Sequence, residues 1–447
     1  MWPIQQFIFE ETGEADILRF CTPAHGPASP PNARWSEYEL RSAEALDTPY
    51  VPKNSLKGSE ARAKDLYGTA ATYYFPTGVS HAILGGILAA FDARDTVLVG
   101  RNIHRSVLAA LAITGARILW MDPGSLWFQF RAEHLKDAIN KSGKISGVVL
   151  TNPSYEGHLS DIEGIFEICL SHDIKLLIDE SLGSHWMMSP LLPKSAVHVG
   201  ADLVFHSLHK KVGALVPAAL LHVPRRSRLS SSQVERHVDL VRSTSPSNLV
   251  LLSTEWAIQS ICPNPSHLPD LIQNCRRLTE TLVPHQAPDV LSIDIHASDP
   301  MVVHLLPRNK DPVSLAEALY EVGLDYEHAD RRGIVYFVSP WMDPPNISFL
   351  MRILLERLAM PSRGRPCKAN PFRYPMPRMA LDFWTSIRSE RSRVCSLKHA
   401  LGSVSCTLIA DCPPGIPLLS PGEIISESHL EILGERNVEI LDRGATR

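Results

Sequence analysis

Ala201-Asp-Leu-Val-Phe-His-Ser-Leu-His-Lys-Lys-Val-Gly-Ala-Leu215 is an apolar run that stops abruptly at Ser207, His209, Lys210 and Lys211. Upstream, Lys175-Leu-Leu-Ile-Asp-Glu180 has the same form, an apolar run tipped by carboxylates. Short apolar runs that end in charge are the pattern of buried strands at the point where they leave a sheet.

Working outward, runs of this kind alternate with helical patterns. Thr96–Gly100, Arg117–Met121, Val148–Thr151 and Ala218–Val223 read as further strands. Ser80–Ala93, His104–Thr114 and Ile162–His172 read as helices, and Leu249–Leu282 as a helical stretch. Such alternation predicts an α/β fold with a mostly parallel central sheet flanked by helices. Beyond it, Pro300–Leu306 and Gly333–Val338 read as strands, and Ser314–Val322 and Ile347–Leu358 as helices, which makes a small α+β unit. The expected division is an N-terminal arm over 1–50, a large domain over 51–285, a small domain over 286–360, a proline-rich linker over 361–377 and a C-terminal domain over 378–447.

Composition narrows the class. The 447 residues carry a formal charge of −4, which does not favour nucleic acid or an anionic membrane surface. No apolar run reaches the roughly 18 residues that span a bilayer, and Met1-Trp-Pro-Ile-Gln-Gln-Phe7 lacks the regions of a secretory signal. The eight cysteines are scattered without a CxxC pair, which reads as reduced thiols in a cytoplasmic protein. None of the nineteen histidines has metal-ligand spacing, so no metal is expected.

In open α/β sheets, ligands sit outside the carboxyl ends of the strands, and the polar clusters fall there. Thr77-Gly-Val-Ser80 precedes a helix, where free amides and a hydroxyl suit a phosphate or make an ordinary N-cap. His104 follows one strand, Asp179 ends another, and Lys210 follows a third. Asp179 either meets a cationic N–H or caps a strand at the surface. Lys210 with Lys211 is either a reactive amine or an exposed pair. The order of phosphate loop, His, Asp and Lys suits pyridoxal 5'-phosphate, with Lys210 as the Schiff-base amine and Asp179 holding the pyridine nitrogen protonated.

These residues lie in motifs that resemble the Orn/Lys/Arg decarboxylase family, pyridoxal-phosphate enzymes of fold type I. The motifs are Tyr73-Tyr-Phe-Pro-Thr-Gly-Val-Ser80, Val99-Gly-Arg-Asn-Ile-His-Arg-Ser106, Val149-Leu-Thr-Asn-Pro-Ser-Tyr-Glu-Gly157, Leu177-Ile-Asp-Glu-Ser-Leu-Gly-Ser-His185, His206-Ser-Leu-His-Lys210, Ser243-Thr-Ser-Pro-Ser247 and Pro413-Pro-Gly-Ile-Pro-Leu-Leu-Ser-Pro-Gly-Glu423. The resemblance implies a homodimer or higher homo-oligomer that decarboxylates lysine, arginine or ornithine. It makes Lys210 the Schiff-base lysine and has His104 stack on the ring. Gly78, Val79, Ser80 and Ser207 surround the phosphate, Ser181 lies in the cofactor lining, and Ser243, Thr244 and Ser245 reach the phosphate of a neighbouring subunit. Lys210 or His209 returns the proton to Cα. Glu423 is a candidate for the substrate's distal cation, or else a helix-end acid; Glu156 and Asp161 are further candidates. The chain looks like the short form, without an N-terminal wing.

The chain departs from the family pattern where a usual alanine and histidine read Ser181 and Leu182, where a usual threonine reads Val79, and where an early lysine reads Gly26. Two other readings accommodate these changes: a different pyridoxal-phosphate reaction (aminotransfer, aldol cleavage or oxidation), or a non-catalytic scaffold.

Overall fold

The structure, a computed structural model, describes residues 18–20, 55–124, 127–262, 264–282, 298–360 and 373–442. The expected arm with Pro23-Ala-His-Gly26 lies almost entirely outside the described residues, as do the boundary expected near 285 and most of the expected linker.

Strand β1 (Leu18–Phe20) pairs in parallel with a later strand. The central sheet takes β2 (Ala71–Phe75), β3 (Thr96–Gly100), β4 (Arg117–Met121), β5 (Gly147–Thr151), β6 (Lys175–Asp179), β7 (Leu203–Ser207) and β8 (Ala219–Val223). Their order is β2-β8-β7-β6-β5-β3-β4. From β7 to β4 every pairing is parallel, and β8 is antiparallel to both β2 and β7. Two antiparallel steps leave β2 running the same way as β7. The carboxyl ends of β2, β3, β5, β6 and β7 therefore share one edge of the sheet.

Side-chain alternation explains the two covering layers. On β5 and β6, Val148, Leu150, Leu176 and Ile178 pack into one cluster with the Ile162–Ser171 helix. Val149 and Leu177 face the opposite way, into a cluster with the Val79–Ala90 and Arg105–Thr114 helices. A strand buried on both faces needs a near-continuous apolar run, which is why these segments are so plain in the sequence.

A second, antiparallel sheet joins β9 (Val302–Leu305), β11 (His328–Asp330) and β12 (Gly333–Phe337), while β10 (Leu324–Tyr326) is the partner of β1. Near the C-terminus, β13 (Ser392–Ser396) pairs with β16 (Asn437–Leu441), and β14 (Ile409–Ala410) with β15 (Pro417–Leu419). The cores cross the expected divisions. Met301, Val303 and Leu350 pack with Leu208 and Leu220, and Leu418, Ile425 and Ile440 pack with Phe166 and Leu176. Among the described residues, no helix is long and apolar enough to cross a membrane.

Candidate active site

The shared edge gathers the residues singled out from the sequence. Neighbouring strands lie about 4.8 Å apart, so the ends of β7 and β6 are adjacent, and those of β2 and β3 lie roughly 10 Å to either side. Register fixes the depth. Phe75, Ala219 and Ser207 form one row, and Phe205, Asp179 and Thr151 another, two residues deeper along β7.

Asp179 is 4% exposed, and its Oδ1 accepts two bonds from Ser181, from the hydroxyl at 2.5 Å and from the amide at 3.1 Å. Among the described residues no cation is paired with it. A buried carboxylate without a cation is costly, so this arrangement suits a ligand that brings a cationic N–H. The adjacent Glu180 points elsewhere. It is fully buried and accepts from Ser195 Oγ, from the Ala196 amide at 2.7 Å and from His206 Nε2 at 2.8 Å.

Lys210 lies in a short helical turn, Leu208–Lys211, directly after β7. It is partly exposed, whereas Lys211 is fully buried and donates to the Met301 carbonyl at 3.0 Å. Lys211 also stands 4.4 Å from the centre of the Phe337 ring, and burial lowers its pKa to about 8. Ser207 is buried, with its Oγ 3.3 Å from His209 Nδ1, which is also 3.3 Å from the Ala218 carbonyl.

His104 caps the Arg105–Thr114 helix; its Nδ1 accepts from the Ser106 amide at 3.2 Å and lies 2.7 Å from the Ser106 hydroxyl. Burial lowers its pKa, the Asp179 carboxylate opposes that shift, and Lys210 and Arg105 reinforce it. One imidazole thus feels both the acid of β6 and the amine after β7. Ser106 was not among the residues expected at the site; it was legible only as a hydroxyl next to a helix start. Gly415, within the Pro413–Glu423 motif, approaches the His104 ring. A Cβ there would stand 2.4 Å from His104 Cδ2, and its carbonyl accepts from the Arg105 amide at 2.9 Å.

At the end of β2, Gly78 has a φ of 97°, which favours glycine, and precedes the Val79–Ala90 helix. The amides of Val79 and Ser80 fall in the first turn, where a helix leaves donors without intrahelical partners. The buried Thr77 hydroxyl also has no hydrogen-bond partner. Spare donors at a helix start fit a phosphate group. Ser243 and Pro246 line a small cavity with Pro76 and Thr77 of the same chain. Thr244 and Ser245 are exposed beside them.

The expected substrate acids are engaged elsewhere. Glu423 is 1% exposed; one oxygen lies 3.1 Å from His429 Nε2, and the other accepts from the Ser420 amide at 3.0 Å. Glu156 is held by Arg332 at 2.6 Å, and Asp161 caps the Ile162–Ser171 helix. Leu182, where the family pattern has histidine, packs with Tyr155, Val302, Val335 and Phe337. An imidazole there would enter an apolar cluster.

Comparison with known proteins gives the family and the fold. Residues 38–283 match the family model described as Orn/Lys/Arg decarboxylase, major domain. The chain is 26% identical to an arginine decarboxylase of Halalkalibacterium halodurans over 425 residues, covering 89% of this chain and 84% of the relative. An arginine decarboxylase of Bacillus anthracis is 24% identical over 460 residues, covering 96% of this chain and 92% of the relative. Among solved structures, the constitutive lysine decarboxylase of E. coli superposes with a TM-score of 0.73 at 17% identity, covering 99% of this chain and 82% of that one. This likeness carries the fold, fold type I.

Proposed function

Because the chain belongs to the Orn/Lys/Arg decarboxylase family, we propose that it is a pyridoxal-phosphate-dependent decarboxylase of a basic amino acid, with arginine the leading substrate. The observation that carries the site is geometric: the ends of β3, β6 and β7 on one sheet edge bring His104, Asp179 and Lys210 together. Bound there, pyridoxal phosphate supplies the electron sink for the pair left behind when CO₂ departs.

The chain's own residues divide the remaining work. Asp179 would hold the ring nitrogen protonated through Oδ2, since Ser181 occupies Oδ1. Lys210 Nζ would supply the amine for the coenzyme's aldehyde. It or His209 returns a proton to Cα as general acid. His104, whose pKa burial lowers, would stand against the coenzyme ring. The amides of Val79 and Ser80, with Gly78, Thr77 and Ser207, hold the phosphate. In an assembly of at least two subunits, Ser243, Thr244 and Ser245 would reach the phosphate of the neighbouring subunit, although Ser243 also lines a cavity with Thr77 of its own chain. A cytoplasmic setting would keep the cysteines as thiols, and the six among the described residues are unpaired.

The test is a substrate screen with purified protein and added coenzyme, following CO₂ and amine from arginine, lysine and ornithine. The expected result is CO₂ and amine in equal amounts, fastest from arginine. Turnover of an amino acid without CO₂ would favour a different reaction on the same coenzyme, the reading that Ser181 and Leu182 motivate.

A further inference from the structure

We propose that Ser181 is a positioning residue, whose hydroxyl sets the plane of the Asp179 carboxylate so that Oδ2 meets the coenzyme nitrogen. The inference rests on the function proposed above and goes beyond it to a residue at which the chain departs from its family pattern. The carboxyl torsion of aspartate is soft and broad, so burial alone does not orient the group. Here Oδ1 receives two donors from one residue, the Ser181 hydroxyl at 2.5 Å and its amide at 3.1 Å. Both residues are buried, Asp179 at 4% and Ser181 at 6% exposure, so water competes little for those bonds. Two donors on one oxygen fix the carboxylate plane and leave the second oxygen for an incoming donor. An alanine, the usual residue at this position in the family, would leave the amide as the only one of these two donors.

The test strips the coenzyme from the native protein and from Ser181→Ala, Ser181→Cys and Ser181→Thr, then titrates pyridoxal phosphate back. Affinity is read from the visible absorption band, and kcat and KM are measured for the preferred amino acid. Threonine keeps a hydroxyl, while cysteine keeps the volume with only a weak donor. Ser181→Ala and Ser181→Cys are expected to bind coenzyme about tenfold or more weakly, the weight of one charge-assisted hydrogen bond. Their kcat should fall while KM for the amino acid stays within about twofold of native, because the bond acts on the ring and not on substrate capture. Ser181→Thr should behave as native. Overturning results are a Ser181→Ala protein with native coenzyme affinity, or a Ser181→Cys protein that recovers what alanine loses, which would make the role one of packing. Native protein that takes up no coenzyme would overturn the proposed function as well; native uptake with unchanged variants would overturn this inference alone.

Discussion

Asp179 and Glu180 are adjacent acids with different surroundings, because successive residues of an extended chain face opposite ways. Asp179 turns to Ser181 at the sheet edge, and Glu180 to Ser195 and His206 inside the fold. Asp179→Asn keeps an acceptor for Ser181, so it should fold normally. Its kcat should fall by on the order of 10²–10⁴, the scale of losing a preorganised charge in a shielded site. A decarboxylation rate within about threefold of native would contradict this. The two lysines divide in the same way. Lys211→Ala should leave the coenzyme band intact while lowering stability by about 2–4 kcal/mol, since its buried stem and ammonium bind the Met301 carbonyl. Denaturant unfolding and an absorption scan together check both halves. In the sequence Lys210 and Lys211 look alike; the order of the strand ends points to the pair, and the resemblance of His206–Lys210 to the family motif singles out Lys210. Lys211 is covered from far along the chain by Met301, just before β9, and by Phe337 of β12.

At the scale of elements, the buried parallel strands were legible because both of their faces are apolar. Lys175–Asp179 and Thr96–Gly100 fall where the sequence reading expects them. Other elements were not anticipated, for local reasons. Ala71–Phe75 merges into the phosphate motif, and Ser392–Ser396 is a half-exposed polar strand with no clear alternation. The reading as one helical stretch of Leu249–Leu282 divides into helices at Asn248–Gln259 and Leu268–Thr281, between which lie Pro263 and Pro265. The Pro413-Pro-Gly415 loop was legible only through resemblance, because its partner His104 is remote in sequence. Gly415 combines a φ of 78° with the close approach to His104, so Gly415→Ala strains the backbone and displaces the ring or the loop. Activity should fall at least about tenfold with circular dichroism unchanged, a 1 Å misplacement near the chemistry being enough for such a loss. Full activity in that variant would detach the loop from the site.

Across the whole molecule, a set of histidines is held below the ordinary pKa, chiefly by burial. His104, His185, His222 and His304 are lowered, and His158 is lowered to about 3. Unfolded histidine takes up its proton near pH ~6.5, while these folded groups wait for lower pH. The unfolded chain therefore binds more protons as pH falls below that value, and stability declines by up to about 1.4 kcal/mol per pH unit for each group. Glu156 and Asp299, both held at about 2, add to the loss only below the usual carboxylate range. Thermal unfolding of the coenzyme-free protein should thus show a midpoint several degrees lower at pH 5 than at pH 7; a flat midpoint would contradict the burial of these rings. The whole account turns on one edge of the sheet holding one coenzyme, and reduction with borohydride followed by peptide mapping tests this most directly. The predicted result is a single pyridoxyl label on Lys210 and none on Lys211. A label on another lysine, or no label in protein given excess coenzyme, would contradict it.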